Sequence, residues 1–260
     1  MIFKKKKWDS LRSVFDELNN SANYAILRNW EELSTEDFLQ GHEDVDIICD
    51  NPKKVIKALG AVKEPVWGHN CHYFIKCGNK LIEIGIRYVG DDYYDSCWEK
   101  EMLSTRVFDK RLGAYVLAED MYLYSLLYHA FLHKRKMSDD YYTRLKEMLN
   151  LRGCIIDSRD DLLKQLLLFC RDRSIRIVFP KDYTVPFDLR NIGLSQVKNK
   201  FGKIYHMIFG EVKCDISGND VEVDIAGYKS WKLRKIVNLP NRAIRVMARK
   251  IRKAVAWEKN

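Results

Sequence analysis

Asp44-Val45-Asp46 heads an otherwise apolar run that continues as Ile47-Ile48-Cys49. Read as a strand, this run alternates, so both aspartates project from one face about 7 Å apart along the chain. Like charges so placed repel. Either that face lies in water, or something positive sits between the carboxylates. A third acid follows the same logic. In residues 80–88, KLIEIGIRY, Ile82, Ile84 and Ile86 share one parity and Glu83, Gly85 and Arg87 the other. Two carboxylates from one strand and a third from a neighbour form an oxygen-lined pocket suited to Mg2+ or Mn2+. Such an ion would remove the repulsion and organise a phosphate chain for in-line attack.

Other residues could join this chemistry. Arg87 shares the face of Glu83 and could either pair with the acids or hold a phosphate. His129 and His133 stand four apart in a helical stretch and so share a face, with Lys134 next in sequence. They read either as the polar edge of a core helix or as a phosphate contact or general base. No glutamate beside His129 makes an HExxH pattern, so a zinc protease is excluded. Cys71-His72 and Cys77 lack the spacing of a zinc knuckle. Asp91-Asp92, just past Gly90, reads as a turn.

The elements that must position these residues can be read from pattern. Trp8, Leu11, Val14, Phe15 and Leu18 recur at helical spacing, and Asn19-Asn20-Ser21 ends the run. Tyr24 to Leu27 reads as a first strand and Asp44 to Cys49 as a second. Pro52 then opens a helix that closes at Gly60. Residues 71–77 and 80–88 are β-rich and flank Gly78-Asn79, which is hairpin chemistry. Beyond residue 115 the periodicity turns helical: a long aromatic stretch over 115–136, a second helix behind Ser138 that stops at Gly153, and a third from Ser158. Tyr122, Tyr124, Tyr128 and Phe131 fall at helical spacing and read as core rather than base-stacking residues. Residues 204–227 look like strands, broken by Gly210 and Ser217-Gly218-Asn219.

Composition bounds the partners. With 260 residues, 47% of them hydrophobic, the chain can bury a sizeable core. A net charge of +9 favours anionic partners. Seven scattered cysteines, an odd number with no CxxC, suit a reducing cytosol. No apolar stretch reaches the roughly 18 residues of a membrane span, and Lys4 to Lys7 are not followed by the apolar segment of a secretory signal. After Pro240, Ile244, Met247, Ala248, Ile251 and Val255 form one narrow stripe on an otherwise basic helix, 240–257. That helix suits an anionic membrane surface or a docking position on the core. The expected location is cytoplasmic, and peripheral to the inner face of the membrane where that helix meets lipid instead of the core.

The order helix, strand, Asp-x-Asp strand, helix, and a strand carrying Ile82-Glu83-Ile84 resembles the nucleotidyltransferase superfamily, the fold of polymerase β. The resemblance covers roughly residues 22–90. It implies that Asp44, Asp46 and Glu83 are catalytic and hold Mg2+ or Mn2+. Where that superfamily carries Gly-Ser for nucleotide phosphates, this chain reads Leu27-Arg28-Asn29-Trp30. Arg28 could replace a backbone anion nest with a charged fork. Arg28, Asn29, Arg87, His129, His133 and Lys134 are thus the candidate substrate-binding residues.

The stretch from Tyr24 to Ile48 is also similar to nucleotidyltransferase-like proteins of bacterial surface-polysaccharide clusters, cousins of the choline-phosphate transferases of the LicD/fukutin type. This implies an α+β fold: a small mixed sheet as a nucleotidyltransferase-like core over 1–115, then a helical region with a basic C-terminal segment over 116–260. It further implies transfer of a phosphate-linked group from a CDP-type donor to a glycan or lipid-linked acceptor, with nucleic acid not among the expected partners. Two alternatives stand beside it. One is an NTP-using nucleotidyltransferase that modifies a small molecule or protein. The other is a non-catalytic module for acidic lipid or RNA.

Overall fold

A computed structural model describes residues 6–33, 44–63, 71–134, 136–182 and 185–187, together with the backbone of 212–215 and 222–226. The basic segment 240–257 lies outside the described residues. In chain order the elements are β1 (Lys7–Trp8), α1 (Leu11–Ser21), β2 (Tyr24–Ile26), β3 (Asp44–Cys49), α2 (Pro52–Leu59), β4 (Val62–Lys63), β5 (His72–Cys77), β6 (Lys80–Tyr88), α3 (Ser96–Ser104), β7 (Val107–Asp109) and β8 (Ala114–Val116). There follow α4 (Glu119–Tyr128), a π-helical turn (His129–His133), α5 (Asp139–Asn150), α6 (Arg159–Asp172), β9 (Ile177–Val178), β10 (Val212–Asp215) and β11 (Glu222–Ala226). The fold class is α+β.

Among the described residues, the main sheet runs β1-β5-β6-β3-β2-β8-β7, with β4 added beside β5. It is mixed: β3 pairs parallel with β6 and antiparallel with β2, and β5 pairs antiparallel with β6. A second, three-stranded sheet runs β10-β11-β9.

The strand alternation decides how the sheet is covered. Val45, Ile47, Ile82, Ile84 and Ile86 face α1 and α2, where Leu11, Val14, Phe15, Leu18, Val55 and Leu59 complete a buried cluster. Burying such side chains stabilises the fold by about 1.5–3 kcal/mol each. The opposite face carries Ala25 and Ile48, which join Trp98, Leu126, Leu127, Leu162 and Leu166 of α3, α4 and α6 in a second cluster. The acids of β3 and β6 lie on this second face. The boundary expected near residue 115 falls inside β8, which pairs with β2 in the main sheet.

Local chemistry sets the ends of the helices. The Ser10 and Ser158 side chains accept from the backbone N–H three residues on and form capping boxes for α1 and α6. Asn51 caps α2, whose first residue is Pro52 and whose end is Gly60 in the left-handed region (φ 58°). Trp8, read as the first apolar residue of a helix, instead lies in β1, and its indole Nε1–H donates to the Leu59 carbonyl at 3.1 Å. The long helix expected over 115–136 is shorter, because α4 loosens into the π turn at His129. Among the described residues no helix is long and apolar enough to cross a membrane.

Candidate functional site

The acids are positioned by register. Asp44 is the Cα partner of Glu83, and Asp46 that of Gly85. In a parallel pair, partnered residues share a face, so all three carboxylates stand on the face shared with Arg87. Asp44 is exposed at the strand's start, while Asp46 and Glu83 are partly buried. Gly85 explains how Asp46 lies. An ideal Cβ at position 85 would sit 2.1 Å from Asp46 Oδ1, so the carboxylate occupies the space a side chain would fill.

Asp46 and Glu83 each meet a cationic side chain. Arg28, just past β2, donates from Nη2 to Asp46 Oδ2. Its Nη1 donates to the Tyr93 hydroxyl at 2.9 Å and reaches His129 Nδ1 at 3.2 Å. Tyr93 Oη and His129 Nδ1 lie 2.9 Å apart. Because Nδ1 faces N–H groups of a guanidinium, which has no acceptor, it accepts, and the imidazole is neutral with its proton on Nε2. Burial, then Arg28, then His133 hold His129 well below the ordinary histidine range, which agrees. Burial works to raise the Asp46 carboxyl, but Arg28, with Arg87 and His72 behind it, outweighs this and holds it below its usual range. Glu83 is paired with His72 Nδ1. Burial opposes the charged His72 ring, yet hydrogen bonds to Cys71 and Glu83 push it up to about 10.

The remaining sequence candidates divide in two groups. Lys134 follows the π turn, sits 4.1 Å over the Tyr141 ring, and is held below its usual range by burial and Arg28 while Asp44 opposes the shift. It therefore joins the site. His133 lies deeper, 3% exposed, against the rings of Tyr93 (4.0 Å) and Tyr128 (5.2 Å), and among the described residues neither ring nitrogen has a hydrogen-bond partner. Arg87 is buried behind Tyr93, its guanidinium 4.1 Å from that ring's centre. Its Nη1 is 3.8 Å from Asp91 and 3.6 Å from Asp182. Asn29 faces away from the acids: its Oδ1 accepts from Arg144 at 3.1 Å and its backbone N–H donates to Tyr122 at 3.3 Å, in a network with Glu31.

Sequence reading missed Tyr93, which links Arg28, Arg87, His129 and His133, and nothing in its local pattern marks it. It also missed His72 as the partner of Glu83. Gly85 did leave a signal, since a glycine inside a strand marks close approach of another group.

As arranged, this set does not fit a divalent cation. Asp46 and Glu83 already accept from Arg28 and His72, and among the described residues no three His, Cys, Asp or Glu side chains are placed to hold a metal. What the site offers is a fixed guanidinium and an ammonium beside an exposed carboxylate.

A scan against protein-family models finds no match, and a search of curated proteins finds none either. Among solved structures, the chain is similar to an antigenic nucleotidyltransferase-like protein from Paracoccidioides brasiliensis, at 15% identity and a TM-score of 0.34, over 64% of this chain and 89% of that one.

Proposed function

We propose that this site binds the phosphates of an activated nucleotide and transfers a phosphate-linked group to a hydroxyl acceptor. One observation carries the reading: β3 and β6 are in register so that Asp44, Asp46 and Glu83 share the face on which Arg28 is fixed. An acceptor oxygen attacks phosphorus while the bond to the nucleotide's leaving phosphate breaks. Asp44, exposed at the rim, takes the acceptor's proton. Arg28 and Lys134 stabilise the negative charge that grows on the leaving phosphate, an electrostatic task that prearranged cations perform well. In its finer form the donor is of CDP type and the acceptor a glycan of surface-polysaccharide assembly.

The test is a thermal-shift panel of CDP-, UDP- and NTP-type ligands. Binding to the folded state raises the midpoint with ligand concentration. A concentration-dependent shift with one base class names the donor, and no shift with any ligand overturns the reading. A second reading, a binding module without turnover, is favoured by the pairing of Asp46 and Glu83 with protein cations. Asp44→Asn separates the two. In a transferase it keeps the shift and loses product formation, whereas a binding module forms no product even as wild type.

A further inference from the structure

We infer that Arg28 takes the place a divalent cation would hold, so that phosphate binding at this site is metal-independent. The inference rests on the reading that donor phosphates bind here, and it adds which charge receives them.

Four observations converge on Arg28. Its guanidinium bridges from Asp46 to Tyr93 and His129, so its orientation is set from two sides. Its side chain is only 9% exposed, where a charge is weakly screened. Gly85 provides the space that lets the Asp46 carboxylate lie against the sheet. Finally, the second strand acid a metal would need, Glu83, is paired with His72. A metal would have to displace two protein cations to reach these carboxylates. A phosphate oxygen would compete with one carboxylate, Asp46, for a guanidinium already oriented, with Lys134 nearby. A planar fork also matches phosphate oxygens in two-point fashion.

The arrangement gives opposite roles to Asp46 under the two schemes. As a metal ligand it would be required for phosphate binding. As the anchor of Arg28 it competes with phosphate for the same N–H groups, so neutralising it should strengthen binding.

The experiment is calorimetric titration of the full chain with inorganic pyrophosphate and with CDP, in EDTA and in Mg2+. Wild type should bind with the same affinity, within about twofold, in both buffers. Asp46→Asn should bind as tightly or several-fold tighter in EDTA. Arg28→Lys, which keeps the charge and loses the fork, should lose about tenfold, in line with one charge-assisted hydrogen bond. Arg28→Ala strips Asp46 of its counter-charge and threatens the fold, so the two conservative variants carry the test. Binding that needs Mg2+ and disappears in Asp46→Asn overturns this inference and leaves the proposed function standing. Absence of binding in both buffers overturns both.

Discussion

The smallest determinant of the site is a missing side chain. At position 85 a methyl group would meet Asp46 Oδ1 at 2.1 Å. Gly85→Ala should therefore swing the carboxylate off Arg28 and destabilise the protein by about 1–3 kcal/mol, the usual cost of overpacking. Denaturation of Gly85→Ala in an Asp46→Ala background checks the cause, because there the penalty should vanish. His133 makes the converse case. Among the described residues neither nitrogen of this buried imidazole has a hydrogen-bond partner, and a buried polar group so placed costs desolvation without return. His133→Leu, close in volume, should raise stability by about 1 kcal/mol in urea unfolding. The shared face of Asp44, Asp46 and Glu83 was legible from strand parity, whereas Arg28 was singled out by its place in the resemblance and Lys134 only as a neighbour of His133. Tyr93 and His72 were not, because each acquires its role from partners brought together only by the sheet and the loop after β6.

At the scale of elements, the loop between β6 and α3 holds Tyr93 in place. Gly90 and Asp92 adopt left-handed backbone there (φ 89° and 59°). Glu99, fully buried in α3, accepts from the backbone N–H groups of Gly90 at 2.7 Å and Tyr94 at 3.1 Å. Burial, then the nearby Asp91 carboxylate, push the Glu99 carboxyl up to about 9, and the titration belongs to the pair. The folded chain thus keeps a proton that the unfolded chain releases near the ordinary value of 4.5. Because the unfolded state binds fewer protons in that window, stability should fall as pH rises from about 5 towards 9. Glu99→Gln should flatten that slope in denaturation series across the window, even though its amide NH2, facing a backbone N–H, lowers stability by about 1–3 kcal/mol throughout. Pattern foretold α1, α2, β3 and the β5–β6 hairpin, whose periods are regular and whose caps are ordinary. It did not foretell α3, β7 or β8. Those two strands have three residues each, too few for a period to show, and α3 lacks the opening proline and closing glycine that mark α2.

For the whole molecule, the sheet separates two buried layers: α1 and α2 with strand isoleucines on one face, α3, α4 and α6 with the acids' face on the other. The second layer depends on residues far along the chain. Ile177 of β9 is buried there, and β9 pairs parallel with Ile225 and Ala226 of β11. A chain ended after Phe187 would leave the edge of β9 open, and exposed strand edges recruit other chains. Light scattering and size-exclusion chromatography should show association of that truncation, while the full chain stays dispersed under the same conditions. The acidic face and its buried helical layer would still be encoded in the truncated chain, so the change would report the missing strand.

That late pairing also bears on synthesis. β9 leaves the ribosome well before β11 exists, so the helical layer must wait with one margin unfinished until β11 has been synthesised. During that interval the nascent protein presents apolar residues beside an unsatisfied strand, a form that holdase chaperones recognise. Slowing elongation over residues 188–221 should therefore lengthen chaperone occupancy of the nascent chain without altering the protein that is finally released.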